Sequence, residues 1–106
     1  IALEPLQSPL LTTGKGGPHR VEGVGVGFEP PFLDKKKLKE IRTLDQKDAF
    51  NMCRLLAKEE GILGGASTGL NVVAAIKIAR EMGPGKCVVT LNCDNGVKYL
   101  GSHIYL

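Results

Sequence analysis

Apolar positions Ala49, Phe50, Cys53, Leu56 and Ala57 follow an i, i+1, i+4, i+7, i+8 spacing, one face of a helix. Asn51, Arg54, Lys58 and Glu59 fall on the opposite, polar face. Asp45 or Thr43 supplies an N-cap, Asp48 suits the first turn, and Gly61 supplies the stop. A second helix is expected after the glycine-rich stretch Gly64 to Asn71. It carries the apolar run Val72-Val73-Ala74-Ala75-Ile76-Lys77-Ile78-Ala79 and closes near Met82, before Gly83 and Pro84. Ile41 to Leu44 alternates as a short strand does, Ile1-Ala2-Leu3 reads as the tail of a buried strand, and Ile62-Leu63 leaves room for only a very short one. Cys87-Val88-Val89-Thr90-Leu91 is apolar almost throughout, the pattern of a strand buried on both faces of a parallel sheet. Strands alternating with helices predict an α/β fold: an open, mostly parallel sheet with flanking helices, without an internal boundary between residues 1 and 106. Ligands of such sheets gather beyond the carboxyl ends of the strands. There the Gly64–Asn71 turn, the glycines near Gly23 and the turn Asn92-Cys93-Asp94-Asn95-Gly96 are expected to meet.

Between Gln7 and Pro31 the periodicity vanishes. Thr12-Thr13-Gly14-Lys15-Gly16-Gly17-Pro18 is expected to hold no regular element and to form an exposed loop. Such a long connection inside a small domain usually signals function or mobility. Within it, Glu22-Gly23-Val24-Gly25-Val26-Gly27-Phe28 brings nearly bare backbone against a neighbour. The segment starts like a dinucleotide fingerprint, but the last glycine spacing is wrong and Pro30-Pro31 follows where a helix is required.

Composition narrows the function classes. A chain of 106 residues is one domain's worth at most, and a fold of this size buries roughly 60–70% of its unfolded surface. The net charge of +3 is spread over both signs. Lys35-Lys36-Lys37 is flanked by Asp34 and Glu40 and has no interleaved aromatic platform, so it reads as a solvated face and not as a nucleic-acid patch. The 3 cysteines have no Cys-x-x-Cys spacing and make neither a disulfide framework nor a zinc site. That usage suits a reducing cytoplasm. No apolar run reaches the ~18 residues of a membrane span, and no charged-then-apolar leader opens the chain. The start at Ile1, without Met or a preceding turn, reads as a cut polypeptide.

Several motifs compete for the chemistry. Gly65-Ala66-Ser67-Thr68-Gly69 matches the nucleophile elbow Gly-x-Ser-x-Gly, and Asp94 and His103 follow in the order of a hydrolase triad. Against it, the helix ending at Gly61 leaves no room for the central strand that an elbow requires. The short Asp94-to-His103 interval leaves none for the helix between those partners. A phosphate loop fails because Leu70-Asn71 stands where Lys-Ser/Thr is needed. The plain alternative for Ser67 is a helix N-cap worth ~1 kcal/mol. His19, Cys53 and Cys87 read as a polar loop residue, a core helix residue and a core strand residue. Lys77 reads as a solvated head on a packed stem.

Three blocks then point in one direction together. They are Gly17-Pro18-His19-Arg20-Val21-Glu22-Gly23-Val24-Gly25-Val26-Gly27-Phe28, Glu59-Glu60-Gly61-Ile62-Leu63-Gly64-Gly65-Ala66-Ser67-Thr68-Gly69, and Cys93-Asp94-Asn95-Gly96-Val97-Lys98-Tyr99-Leu100. In this order and spacing they resemble the C-terminal third of cysteine synthases, the O-acetylserine sulfhydrylases. Those enzymes belong to the fold type II pyridoxal-phosphate group, which also holds cystathionine β-synthase.

The resemblance implies pyridoxal 5'-phosphate as the cofactor, with Ser67 hydrogen-bonded to its pyridine nitrogen. A neutral hydroxyl does not favour protonation of that nitrogen, and the weaker electron sink suits β-elimination and replacement. Gly23 and Gly25 match the glycine pair whose backbone borders the substrate side, and Cys93 and Asp94 match a turn near the ring. Thr68 stands where many members have a second serine, and Asn95 departs from the common choices without an assignable consequence. The Schiff-base lysine, the phosphate loop and the loop for the substrate carboxylate all lie upstream in the family, so the resemblance implies no catalytic residue in this chain and an isolated chain that is inactive. It also implies a homodimer, an amino-acid substrate and a serine acetyltransferase tail as partner. The readings kept beside it are a cystathionine β-synthase-like enzyme and a non-catalytic binding fragment.

Overall fold

The computed structural model describes residues 1–106. Its centre is a pair of helices, α2 over Gln46–Leu55 and α3 over Ala66–Met82. The Asp45 side chain caps α2 by accepting from the Lys47 N–H at 2.8 Å, as the polar pattern predicts. The chain continues in a π-helical turn, Leu56–Glu60, and stops at Gly61, whose φ of 67° only glycine adopts readily.

The two helices approach closely because Gly69 has no side chain. A Cβ there would run into the Ala49 carbonyl and the Cys53 sulfur. Ala49, Cys53, Leu70, Val73 and Ala74 thereby form one core with Val21, Leu44, Ala66, Tyr99 and Ile104. Leu70 is fully buried, which contributes about 1.5–3 kcal/mol relative to exposure. Cys53 lies in this core as expected. Burial pushes its thiol pKa up, and the protonated sulfur donates to the Gly65 carbonyl at 3.2 Å.

Strand β1, Ala2–Pro5, pairs in parallel with β2, Ile41–Leu44, in the register Ala2↔Ile41 to Pro5↔Leu44. This parallel sheet and its helices bear out the α/β class, although the sheet has only two strands. β2 is tied to the end of α3 by Arg42, whose guanidinium pairs with Glu40 at 2.7 Å and Glu81 at 2.6 Å. The hydrogen bonds that Arg42 donates to Glu81, and then those to Glu40, raise its pKa.

Three expectations are corrected. Thr12 and Thr13 belong to a short helix, α1 over Leu10–Thr13, and not to a loop. The cause is Glu4, a buried carboxylate that accepts from the Leu11 and Thr12 amides at 2.8 and 3.0 Å and from the Thr12 hydroxyl at 2.7 Å. A buried charge needs such partners, and the first turn of a helix supplies them. Ile62-Leu63 forms no strand; the ordered contact is a single antiparallel bridge between Gly64 and Asn95.

The largest departure is at Cys87–Leu91, which joins no sheet. Val89 is 85% and Leu91 71% exposed, and Cys87 is exposed as well. A strand is buried on both faces only when neighbours flank it, and within this chain none pairs with it. Only Val88 is half-buried; it borders an apolar groove of about 340 Å³ whose other walls include Leu3 of β1 and Ala74 and Ile78 of α3.

Candidate functional site

Helix α3 begins at Ala66, and its N-cap is Gly65, which has no side chain to satisfy the free amides of the first turn. Ser67 is therefore inside the helix and does not cap it, which removes the plain reading of this residue. The capping comes from outside the helix: the Asp94 carboxylate accepts from the Gly65 N–H at 3.0 Å. A 3₁₀ turn over Gly96–Tyr99 brings the Tyr99 hydroxyl to the other Asp94 oxygen at 2.6 Å, and Lys98 reaches the same carboxylate at 3.3 Å. Burial opposes the ionised form of Asp94, but the hydrogen bonds from Tyr99, Lys98 and the Gly65 amide outweigh it and hold the carboxyl below its ordinary value. The bond to Asp94, reinforced by burial, raises the Tyr99 phenol pKa.

The rest of the helix start is tied down in the same manner. Thr68 accepts from the Cys93 amide at 3.0 Å and donates to the Asn92 side chain at 3.0 Å. Asn71 donates to the Leu91 carbonyl at 3.1 Å and to the Cys93 sulfur at 3.2 Å. Tyr105 donates to the Gly64 carbonyl at 2.6 Å. Ser67 is the exception. It is 8% exposed, its hydroxyl has no partner within the protein, and it opens on a cleft of about 430 Å³. Gly23, Ser67, Cys93 and Asp94 all line that cleft.

Gly25 does not. With φ 58° it turns away, and a Cβ on it would meet His19 at 2.7 Å and Pro5 at 2.9 Å. It lines a separate apolar cavity of about 210 Å³ beside Leu3, Leu10 and Phe28. His19 is more than a loop polar residue: its Nε2 donates to the Gly25 carbonyl at 2.7 Å while Nδ1 accepts from the Val21 amide at 3.2 Å. These bonds hold the glycine segment in its bend.

The hydrolase triad does not form. His103 is exposed and packs its ring against Phe50 at 4.6 Å, outside the cleft, and the Asp94 carboxylate is already engaged by Gly65, Tyr99 and Lys98. Tyr99, Lys98, Asn71 and Glu22 line the cleft as well, and none was singled out from the sequence as a site residue. The i, i+4 spacing of Asp94 and Lys98 was the one local signal for such a cluster.

The fold and cleft thus define a class: an α/β layer in which a glycine turn, a helix start and the turn over Asn92–Gly96 converge on one uncommitted hydroxyl. Residues 1–94 match the family model described as pyridoxal-phosphate dependent enzyme. The chain belongs to that family. It is 44% identical over 105 residues to a cysteine synthase of Staphylococcus aureus, a match covering 99% of this chain and 34% of the relative. Among solved structures it is similar to an O-ureido-L-serine synthase, with a TM-score of 0.93 and 34% identity over 98% of this chain and 33% of the other. It is also similar to the O-acetylserine dependent cystathionine beta-synthase from Helicobacter pylori, with a TM-score of 0.89 and 39% identity over 98% of this chain and 34% of that one. The chain spans about a third of the length of the relatives that it matches. None of its helices is long and apolar enough to cross a membrane.

Proposed function

We propose that these residues are the C-terminal part of the large cofactor-binding domain of a pyridoxal-phosphate-dependent β-replacement enzyme. It makes L-cysteine from O-acetylserine and sulfide in the cytoplasm, as a homodimer that can take up the tail of serine acetyltransferase. The observation that carries this reading is the Ser67 hydroxyl, nearly buried, without a protein partner and open to a cleft shared with Gly23, Cys93 and Asp94. The donor set fits a pyridine nitrogen: a hydroxyl that neither gives nor takes a full charge, at the start of a helix whose other polar groups are engaged.

When bound, pyridoxal phosphate supplies the electron sink for replacing the β-substituent of the amino acid. The chain's own residues orient it. Ser67 holds the ring nitrogen without favouring its protonation, Gly23 admits the substrate side because no side chain projects there, and Cys93 and Asp94 border the ring end of the cleft. Lys98 pairs with Asp94 while Tyr99 donates to the same carboxylate; Lys98 is the one lysine that lines the cleft, and by this reading the covalent anchor is a different lysine. That lysine and the phosphate loop belong to the remaining two-thirds of the family's length, and the isolated 106-residue chain is inactive by this reading.

The test is Ser67→Ala in the intact polypeptide containing these residues, with cysteine formation from O-acetylserine and sulfide measured beside the cofactor's absorption spectrum. A changed spectrum and at least tenfold slower turnover are expected, the scale of removing one hydrogen bond at a reacting system, ~1.4 kcal/mol. A spectrum and turnover equal to wild type refute the role of Ser67. The similarity to the Helicobacter pylori enzyme favours a second reading, in which cystathionine is formed. Serine against O-acetylserine, and homocysteine against sulfide, separate the two.

A further inference from the structure

Asp94 borders the cleft, yet its carboxylate is directed inward. One oxygen accepts from the Gly65 amide at 3.0 Å, while the other accepts from Tyr99 at 2.6 Å and pairs with Lys98 at 3.3 Å. Gly65 is the N-cap of α3 and cannot cap it. Nor can a capping residue replace it, because a Cβ at this position would collide with the Asp94 carboxylate and the Tyr99 ring. A carboxylate at a helix N-terminus satisfies a free amide and complements the positive end of the dipole, as an N-cap side chain does. Two residues further on is Ser67, whose hydroxyl has no protein partner to fix it.

The structure assigns Asp94 the role of a positioning residue: it clamps the first turn of α3 through Gly65 and so sets where the Ser67 hydroxyl stands in the cleft. This rests on the reading of Ser67 given above. Tyr99 and Lys98 in turn fix the carboxylate, so the segment Asp94–Tyr99 acts as an external cap supplied from a distant part of the chain.

The test is a mutant cycle in the intact polypeptide, using Ser67→Ala, Asp94→Ala, the double variant and Asp94→Asn. Pyridoxal phosphate is titrated by absorption and fluorescence, and amide hydrogen exchange is followed over Gly65–Gly69. Loss of a cap is worth ~1 kcal/mol, so Asp94→Ala is expected to weaken cofactor binding roughly five- to tenfold and to speed exchange at those amides by a similar factor, with α2 unchanged. Asp94→Asn, whose amide oxygen still accepts from Gly65, recovers most of both. In the Ser67→Ala background the added Asp94→Ala causes no further spectral change, because Asp94 acts through Ser67. Additive effects, or wild-type exchange and affinity in Asp94→Ala, overturn the assignment. If Ser67→Ala alone leaves the cofactor unaffected, the reading of Ser67 fails, and the exchange rates still decide whether Asp94 clamps the helix. Should Asp94→Ala not fold, Tyr99→Phe is expected to give the same changes at smaller amplitude, and wild-type values there overturn the clamp.

Discussion

Helix α3 meets the segment that follows it on two different terms. At its start, Gly65, Thr68 and Asn71 are bonded to Leu91 through Asp94, and Ala66 to Leu70 are all buried. At its far end Met82 is 46% exposed, and along the apolar strip Val88–Leu91 only the Val88 side chain is half-buried, although the Leu91 carbonyl accepts from Asn71. In sequence the uncovered strip, Val-Val-Thr-Leu, is the more apolar of the two. The difference is that the first finds its partners within the chain, whereas an extended strip needs strand neighbours to cover its faces and satisfy its backbone. An apolar pattern states what burial would stabilise; it does not state that the burying surface is present.

The sharpest way to break this comparison is inside the packed end. Leu70→Ala removes a fully buried side chain between α2 and α3 and is expected to cost about 2–5 kcal/mol, read from denaturant unfolding. A loss under ~1 kcal/mol would mean that this core is looser than its contacts indicate.

A smaller effect is expected from acid. The Asp94 carboxyl is held below its ordinary pKa of ~3.9 by its partners in the folded chain. In that window the unfolded chain binds more protons than the folded one, so stability rises with pH. The contribution of Asp94 is thus present above pH ~4 and lost as pH falls below it. Asp45 and Glu81 are lowered as well, by the Lys47 amide and by Arg42 respectively. Asp94→Asn should therefore flatten the acid limb of the stability curve in part, without abolishing it; an unaltered limb contradicts the clamp.

The smallest effect belongs to the open end. Leu91→Ser changes a side chain that is 71% exposed, and the expected change in unfolding free energy of this chain is within ~0.5 kcal/mol. Solubility should rise, because an uncovered apolar strip is a site for edge-to-edge association. A cost above ~1 kcal/mol would show that Leu91 is packed after all.

What could be read in advance follows the same division. The cap at Asp45, the stop at Gly61, the α2 face built on Ala49 and Cys53, and the run of α3 to Met82 are local matters of periodicity and capping, and the structure has them as the pattern predicts. α1 was not legible, because its cause is the Glu4 carboxylate folding back from β1, outside the helix, and not its own Leu-Leu-Thr-Thr sequence. In the cleft, the glycine and hydroxyl motifs marked Gly23 and Ser67. Gly25 carries the same signal and yet faces another cavity, since alternating glycines do not reveal which way each bend turns.

By itself the sequence determined the class of fold, the extent of the two long helices and, through three spaced blocks, the family. Those are properties of residue order and of interactions within a few residues. The tertiary structure alone decided that Ser67 is not a cap, that Asp94 serves Gly65 and not His103, and that Cys87–Leu91 is uncovered in this chain. Each depends on which distant backbone group or surface arrives beside a side chain, and no local pattern encodes that arrival.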